Sequence, residues 1–206
     1  LRNYQLKNYI NSSFPYEFKS HVKNLKKEDI VFDLGANIGF VTEYLAMSGA
    51  HVIAFEPNKN AYQELVKFTS NFQNIDFYNI AAGIKNRKVK LYLHKNTKQN
   101  DNELSQASSL LINKSNVSKE IYDVINEIDF AVFLQNFKRI ELIKIDIEGY
   151  EVDLINHLLD KNSLDNVGKI YLETHENIKN LKQPTIELKE RIKKMGFADK
   201  FYFDWY

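Results

Sequence analysis

The sequence contains no cysteine in its 206 residues. Without thiols the chain has neither disulfides nor thiolate zinc sites, and a cysteine nucleophile is excluded. No apolar run approaches the roughly 18 residues that a membrane-spanning helix needs, and no signal peptide is visible. We therefore expect no membrane partner and a cytoplasmic location.

The sequence also lacks an excess of either charge, because 28 Lys and Arg residues stand against 27 Asp and Glu residues, a formal net charge of +1. Nucleic-acid-binding proteins usually carry a clear basic excess, so we expect no nucleic-acid partner. Hydrophobic residues make up 44% and charged residues 27%. That balance is typical of a globular chain with a real core.

The order of the predicted elements indicates the fold class. Residues 1–29 have loose helical spacing, which Ser12-Ser13 and Pro15 break into two pieces. From residue 30 onward, short buried strands alternate with helices, and this alternation predicts an α/β fold with a doubly wound, mostly parallel, Rossmann-like sheet. We predict one domain, 1–206, with an N-terminal helical segment, 1–29, and a core, 30–206.

The predicted elements differ in how clear their signals are. The strands are predicted at 30–34, 51–55, 75–80, 89–94, 141–146, 169–173 and 200–206, and the helices at 40–47, 59–72, 150–159 and 185–195. Residues 95–118 are polar and predict a loop or lid that is longer than most connections. The pattern at 121–130 leaves helix and strand open.

The first strand of the core ends in the loop Asp33-Leu34-Gly35-Ala36-Asn37-Ile38-Gly39. Ligands of parallel sheets bind at the carboxyl ends of the strands. A dinucleotide fingerprint needs G-x-G-x-x-G, but Asn37 and Phe40 occupy the second and third glycine positions. The side chain of Asn37 disfavours a pyrophosphate, although asparagine tolerates a left-handed backbone. A smaller, amino-acid-like ligand fits better.

Further residues at strand ends fit S-adenosylmethionine, which carries an ammonium, a carboxylate and a sulfonium. The Asp33 carboxylate would repel phosphate but pair with an ammonium. Glu56 follows Gly35 by about 20 residues, where an acid binds both ribose hydroxyls, and Pro57 fixes its turn. Small residues from Ala81 onward leave room for a flat adenine. The alternative is a plain strand–turn–helix unit with capping acids.

Candidate catalytic residues follow two later strands. Asp146 and Glu148 face the same side if their segment is extended, and either can take a proton from a methyl acceptor. Glu173 and His175 share a face in the same way, and histidine is well suited to proton transfer near neutral pH. We predict no metal, while a 2-carboxylate-1-histidine site and a plain surface histidine stay open as alternatives.

Three other residues have alternative interpretations. Lys144 can simply neutralise a neighbouring acid, and we interpret Glu151 as a residue that only begins a helix. Ser108, in the polar segment 105–111, contacts either cofactor or acceptor, unless that segment packs through Leu110 and Leu111.

Together these residues resemble the FkbM-type family of class I methyltransferases. The matching segments are 31–39, 54–57, 107–110 and 144–151. The resemblance implies an S-adenosylmethionine-dependent O-methyltransferase that acts on a hydroxyl of a small-molecule or sugar/glycan acceptor. It places Asp33, Gly35, Ala36, Asn37, Gly39, Glu56, Pro57, Ala81 and Ser108 at the cofactor, and Asp146, Glu148, Glu173 and His175 at the methyl-transfer site. The C-terminal antiparallel strands usual in class I enzymes are reduced to 201–206.

Two rival functions use a similar sheet. A nicotinamide-dependent oxidoreductase conflicts with Asn37 and Phe40, and a non-catalytic binding domain would bind cofactor without turnover. A nucleic-acid methyltransferase that methylates amino groups usually has an Asp/Asn-Pro-Pro-aromatic motif after the fourth strand, where this chain has Ile145-Asp146-Ile147-Glu148.

Overall fold

The computed structural model describes residues 2–94, 117–176, 178 and 180–203. The helices are α1 (Arg2–Ser13), α2 (Tyr16–Lys23), α3 (Phe40–Ala46), α4 (Lys59–Phe68), α5 (Phe130–Leu134), α6 (Glu151–Asp160) and α7 (Lys182–Lys194). The strands are β1 (Ile30–Leu34), β2 (His51–Phe55), β3 (Ile75–Tyr78), β4 (Ala81–Gly83), β5 (Arg87–His94), β6 (Val117–Asp129), β7 (Ile140–Ile145), β8 (Val167–Leu172) and β9 (Phe201–Tyr202).

Six strands form a parallel sheet in the order β3-β2-β1-β7-β8-β9. The chain builds outward from β1 to β3, then returns to the other side of β1 and builds outward from β7 to β9. The strand order therefore reverses between β1 and β7, and a crevice opens there at the carboxyl ends. This topology confirms the predicted doubly wound α/β class.

Both faces of this sheet are buried, and successive residues of its central strands point alternately into the two buried clusters. Phe32 and Leu34 belong to one buried cluster, in which α5, α6 and α7 also take part. Val31 belongs to a second cluster, on the face covered by α2, α3 and α4. Strands that are buried on both faces have near-continuous apolar sequences, which explains why the local pattern predicted them well.

A second, three-stranded sheet has the order β4-β6-β5, with β4 parallel and β5 antiparallel to β6. The segment 121–130, left open between helix and strand, is strand through Asp129. A predicted third strand reaching residue 80 is too long, because β3 ends at Tyr78 and Ala81–Gly83 joins the second sheet.

Other expectations have mixed outcomes. The break in the N-terminal helical segment is confirmed, since α1 ends at Ser13 and α2 begins at Tyr16. The C-terminal strand predicted at 200–206 is confirmed only at β9, Phe201–Tyr202, and it pairs parallel to β8 where the resemblance implied antiparallel strands; residues 204–206 lie outside the described residues. The loop or lid predicted at 95–118 and the contact predicted for Ser108 lie largely outside the described residues, which resume at Val117. None of the described helices combines the length and hydropathy needed to span a membrane.

Candidate active site

A partly open cavity of about 650 Å³ lies at the carboxyl ends of β1, β2 and β7. Its position, where the strand order reverses, is that of a small-molecule site in a parallel sheet. The predicted site residues that line it are Gly35, Asn37, Glu56, Pro57, Ala81, Asp146 and Glu148. Ala82, one of the small residues expected to leave room for adenine, also lines it. Sequence reasoning did not select the other lining residues, which are Phe55, Ala61, Leu91, Ile147 and Tyr150.

The loop between β1 and α3 passes tightly over the end of β7. Its backbone is left-handed at Gly35, Asn37 and Gly39, with φ angles of 76°, 51° and 90°. A β carbon on Gly35 would lie 1.7 Å from the carbonyl oxygen of Asp146, so only glycine fits there. The left-handed backbone expected at Asn37 is confirmed. The side-chain oxygen Oδ1 of Asn37 is shielded from solvent and has no hydrogen-bond donor among the described residues.

Glu56 connects this loop to the loop that follows β2. Its Oε2 accepts a hydrogen bond from the backbone N–H of Asn37 at 2.8 Å, and its Oε1 accepts one from the N–H of Asn58 at 2.7 Å. Burial raises the pKa of Glu56 to about 7, although these two N–H groups favour its ionised form. The N–H of Ala36 donates to the carbonyl oxygen of Phe55, which holds the two loops together from the buried side.

Asp33 lies beneath the cavity and is fully buried. Its Oδ2 accepts a hydrogen bond from the Thr42 hydroxyl at 2.6 Å, and its Oδ1 lies 3.2 Å from Nζ of Lys144. Lys144 also donates to the carbonyl oxygen of Gly35 at 2.9 Å. The expected ammonium partner of Asp33 is thus a lysine of the chain itself, and Asp33 acts on the site by holding the loop.

The predicted catalytic residues come together beside the cavity: Asp146 and Glu148 line it, and His175 and Glu173 lie next to them outside its lining. A carboxylate oxygen of Asp146, a carboxylate oxygen of Glu148 and a ring nitrogen of His175 all lie within 4.8 Å of one another. Nε2 of His175 is 3.4 Å from Glu148 and 4.0 Å from Glu173. Burial, followed by the charge of Asp146, raises the pKa of Glu173 to about 7. This group can therefore exchange protons near neutral pH.

The expected extended backbone around Asp146 and Glu148 is wrong. β7 ends at Ile145, and Glu148 has a left-handed backbone with φ of 59°. The turn is held by Glu151, whose Oε1 accepts hydrogen bonds from the N–H groups of Ile147 and Gly149, both at 3.0 Å. Glu151 does begin α6, but it also shapes the loop that carries the two acids.

The second sheet forms one wall of the cavity through Ala81 and Leu91. Behind that wall the buried carboxylate of Glu127 pairs with Arg87 and accepts a hydrogen bond from the Tyr150 hydroxyl at 3.2 Å. Burial and the charge of Glu127 raise the pKa of Tyr150 above its ordinary value, so the hydroxyl stays a donor. This network fixes the wall against the start of α6.

This arrangement agrees with the comparison of the sequence with family models. The model of the methyltransferase FkbM domain matches residues 33–198. The chain belongs to the FkbM methyltransferase family. The assignment confirms the predicted family, the class of enzyme and S-adenosylmethionine as the cofactor of the family. It sets aside the oxidoreductase and the non-catalytic alternatives.

Three solved structures are similar to parts of this FkbM chain. A protein from Listeria monocytogenes, described as an S-adenosylmethionine dependent methyltransferase, is 24% identical over 32% of each chain, with a TM-score of 0.26. One from Pyrococcus horikoshii, described as an RNA methyltransferase, is 12% identical over 85% of this chain and 67% of its own, with a TM-score of 0.40. The yeast methylglyoxal/isovaleraldehyde reductase, complexed with NADPH, is 14% identical over 84% and 52%, with a TM-score of 0.45.

At these identities and TM-scores, the three structures indicate nothing about the substrate of the chain. This FkbM chain covers about a third of the length of the Listeria protein. No curated relative matches the sequence.

The cavity fits the cofactor of the family. Asn37 presents a shielded amide oxygen without a donor, which suits a ligand ammonium. Glu56 presents a carboxylate whose two oxygens each accept one backbone N–H and keep further lone pairs for ribose hydroxyls. The small side chains of Ala61, Ala81 and Ala82 leave a flat space beside the ring of Phe55.

Sequence reasoning missed residues whose roles depend on distant parts of the chain. Arg87, Glu127 and Tyr150 meet only because the second sheet packs against the start of α6. No local spacing signals such a contact. Lys144 carried a usable signal, because a lysine inside an otherwise apolar strand needs a buried acid as its partner.

Proposed function

We propose that this FkbM methyltransferase transfers a methyl group from S-adenosylmethionine to a hydroxyl of a small-molecule or carbohydrate acceptor. The observation that carries the proposal is the cluster of Asp146, Glu148, Glu173 and His175, of which Asp146 and Glu148 line the cofactor cavity. Transfer to a hydroxyl needs a group that removes its proton, and this cluster offers several.

The geometry of the two loops supports the cofactor-binding roles that we propose. Glu56 binds the ribose hydroxyls, and Asn37 accepts a hydrogen bond from the ammonium of the methionine part. Gly35 and Gly39 give the loop its left-handed path, Ala36 ties it to Phe55 through its backbone N–H, and Asp33 holds it through Lys144. Pro57 and Ala81 line the adenine end. Ser108 stays a prediction outside the described residues.

The reaction is a direct displacement at carbon. S-adenosylmethionine, when bound, supplies a methyl group activated by its sulfonium. The acceptor oxygen forms a bond to the methyl carbon as the carbon–sulfur bond breaks, and that electron pair stays on sulfur. His175 is our first candidate for the base that takes the hydroxyl proton, and Asp146 is our second. Alignment of the two reactants in a water-poor site supplies much of the rate.

The cofactor roles are tested by calorimetry with S-adenosylhomocysteine. We expect Glu56→Ala to abolish binding by removing the ribose acceptor, and Asp33→Ala to abolish it by releasing the loop. Glu64→Ala, on α4 and outside the cavity lining, is the control and keeps the affinity of the unchanged protein. Unchanged affinity in both test variants would contradict the assignment.

The acceptor chemistry is tested with pairs of compounds that differ only in bearing a hydroxyl or an amine. Release of S-adenosylhomocysteine is the readout, and mass spectrometry locates the new methyl group. We expect turnover with hydroxyl-bearing sugars or small molecules. Methylation of the amine member alone would overturn the proposed O-methylation while leaving the family assignment intact.

Three broader expectations stay proposals. We propose that 1–206 unfolds as one domain, that the protein works in the cytoplasm, and that it binds no nucleic acid. A single calorimetric transition and absent RNA retention in filter binding are the expected results. Two separate unfolding transitions would contradict the single domain. Saturable RNA binding would contradict the expectation that the protein binds no nucleic acid.

A further inference from the structure

The cluster beside the cavity has the composition of a divalent-cation site. Asp146 and Glu148 come from the loop after β7, and His175 comes from the loop after β8, so two neighbouring strand ends provide the set. One candidate ligand atom of each lies within 4.8 Å of the others. Two ligands of one ion, each about 2.1 Å from it, are at most about 4.2 Å apart, so a small side-chain rotation closes the site.

A carboxylate stands behind the histidine. Oε1 of Glu151 lies 3.2 Å from Nδ1 of His175, on the side opposite Nε2, which faces Glu148. Two backbone N–H groups fix that oxygen in place. Histidines that bind metals usually have a carboxylate or carbonyl at their other ring nitrogen, which orients the ring. Here the two atoms approach at 3.2 Å without the alignment of a hydrogen bond, so the carboxylate lies close to the position that such a partner occupies.

The charges around the cluster also point to a cation. Oδ1 of Asp146 is shielded from solvent and accepts no hydrogen bond from the described residues. Nζ of Lys144 is 3.8 Å from the other oxygen of Asp146 but is closer to Asp33. Five carboxyl groups, those of Asp33, Asp146, Glu148, Glu151 and Glu173, thus stand against one lysine, and a divalent cation would offset part of this excess of acidic groups.

We propose that Asp146, Glu148 and His175 bind a divalent cation of the Mn²⁺ or Mg²⁺ class, and that this cation binds the acceptor hydroxyl. Two carboxylates and one imidazole favour Mn²⁺, because carboxylates suit Mg²⁺ and Mn²⁺ and imidazole suits transition metals. The inference rests on the proposed O-methylation and deepens it.

A cation at this place changes the role of His175. With Nε2 bound to the ion, His175 is a ligand and no longer the base. The cation lowers the pKa of the hydroxyl that it binds, as it does for bound water. The hydroxyl proton then leaves to solvent water, the oxygen bonds to the methyl carbon, and the carbon–sulfur electron pair stays on sulfur. An acceptor with two adjacent oxygens would chelate the ion and align one of them with the methyl group.

The first test is a titration of the metal-free protein with MnCl₂, followed by electron paramagnetic resonance of the free ion and by calorimetry. We expect one site, and at least a tenfold loss of Mn²⁺ affinity in Asp146→Asn, Glu148→Gln and His175→Gln. Glu151→Gln should lower the Mn²⁺ affinity about tenfold. Carboxylates that orient a metal-binding histidine typically change metal affinity by about 10–100-fold.

The matched control is His157→Gln. His157 lies 2.8 Å from the carboxylate of Asp129 and is buried to a similar degree as His175, but neither His157 nor Asp129 belongs to the proposed cation site. The variant should leave Mn²⁺ affinity unchanged. S-adenosylhomocysteine affinity of each variant, measured in parallel, shows that the fold and the cofactor site survive.

Activity separates this inference from the proposed function. Loss of hydroxyl methylation in EDTA, restored by Mn²⁺ or Mg²⁺, is the expected result. Full turnover in EDTA, or absent Mn²⁺ binding in a protein that binds S-adenosylhomocysteine, would overturn the cation while leaving O-methylation and the base role of His175 in place. Absent turnover on every hydroxyl acceptor, with Mn²⁺ bound, would instead contradict the proposed function.

Discussion

Nζ of Lys144 lies 3.2 Å from Oδ1 of Asp33, and both side chains are almost completely removed from solvent. Burial lowers the pKa of Lys144, but the charges of Asp33 and Asp146 outweigh it and raise that pKa above the ordinary value. Lys144 therefore stays charged, and it links β1, β7 and the carbonyl oxygen of Gly35 beneath the cofactor cavity.

The first prediction concerns this pair. Lys144→Met leaves the Asp33 carboxylate buried without its cation, which should lower the free energy of unfolding by about 3–5 kcal/mol. Urea denaturation measures the change. Lys67→Met, in an exposed pair on α4, should change the free energy by less than about 0.5 kcal/mol. Adding Asp33→Asn to Lys144→Met should recover part of the loss, and an additive loss in the double variant would contradict the pairing.

The second prediction concerns the tight loop. Gly35→Ala places a methyl group 1.7 Å from a backbone oxygen, whereas Gly49→Ala meets no atom within 4 Å; both positions have positive φ. Gly49→Ala should cost only the left-handed strain, about 1–2 kcal/mol. Gly35→Ala should lower the free energy of unfolding by clearly more than Gly49→Ala does. It should also abolish S-adenosylhomocysteine binding. Equal thermal shifts in the two variants would show that the loop does not press on β7.

The third prediction is a pH dependence of cofactor binding. Burial raises the pKa of Glu56 from 4.5 to about 7, so the carboxyl is largely protonated at pH 6 and largely ionised at pH 8. Only the ionised form accepts both ribose hydroxyls, so S-adenosylhomocysteine affinity should rise about tenfold from pH 6 to pH 8. Calorimetry at several pH values measures this rise. Glu56→Gln should bind weakly at every pH, and a rise that persists in that variant would assign it to another group.

The same raised pKa has the opposite effect on the cofactor-free protein. The folded state holds the proton of Glu56 more tightly than the unfolded state, in which the pKa is near 4.5. The stabilisation is complete below about pH 4.5 and is lost as pH rises through about 7. Glu56→Gln should therefore remove that component of the pH dependence of unfolding.

The parts of the fold that local patterns determine were predictable. The strands around Asp33 and Glu56 are buried on both faces, so apolar runs ended by glycine, proline or an acid mark both the strands and their carboxyl ends. A parallel sheet then brings these ends to one edge. For this reason the sequence predicts that residues as distant as Gly35 and Asp146 belong to one site, and in the structure the two lie in close contact.

The parts that depend on packing between elements were not predictable. The partner of Asp33 is Lys144, 111 positions later in the sequence. The same lysine donates to the carbonyl oxygen of Gly35, 109 positions away. The left-handed turn at Glu148 depends on Glu151, and the same acid reaches His175 across two strand ends. Side-chain networks of this kind depend on which elements pack together in three dimensions. The spacing of residues in a single sequence does not predict such contacts.

The last prediction tests the wall formed by the second sheet. Arg87 pairs with Glu127, whose side chain is fully buried, whereas Arg139 pairs with Glu141 on the surface. Because Arg87 is itself 45% exposed, solvent screens part of the interaction. Arg87→Met should lower the free energy of unfolding by about 2 kcal/mol, less than the loss of a fully buried partner.

Arg139→Met is the matched control and should cost less than about 1 kcal/mol, as exposed pairs do. Urea denaturation of both variants measures the difference. Since Glu127 also accepts a hydrogen bond from Tyr150, which lines the cavity, Arg87→Met should in addition weaken S-adenosylhomocysteine binding several-fold. Equal stability losses in the two arginine variants would show that Glu127 does not depend on Arg87. Unchanged cofactor affinity would show that the network supports the second sheet without shaping the cavity.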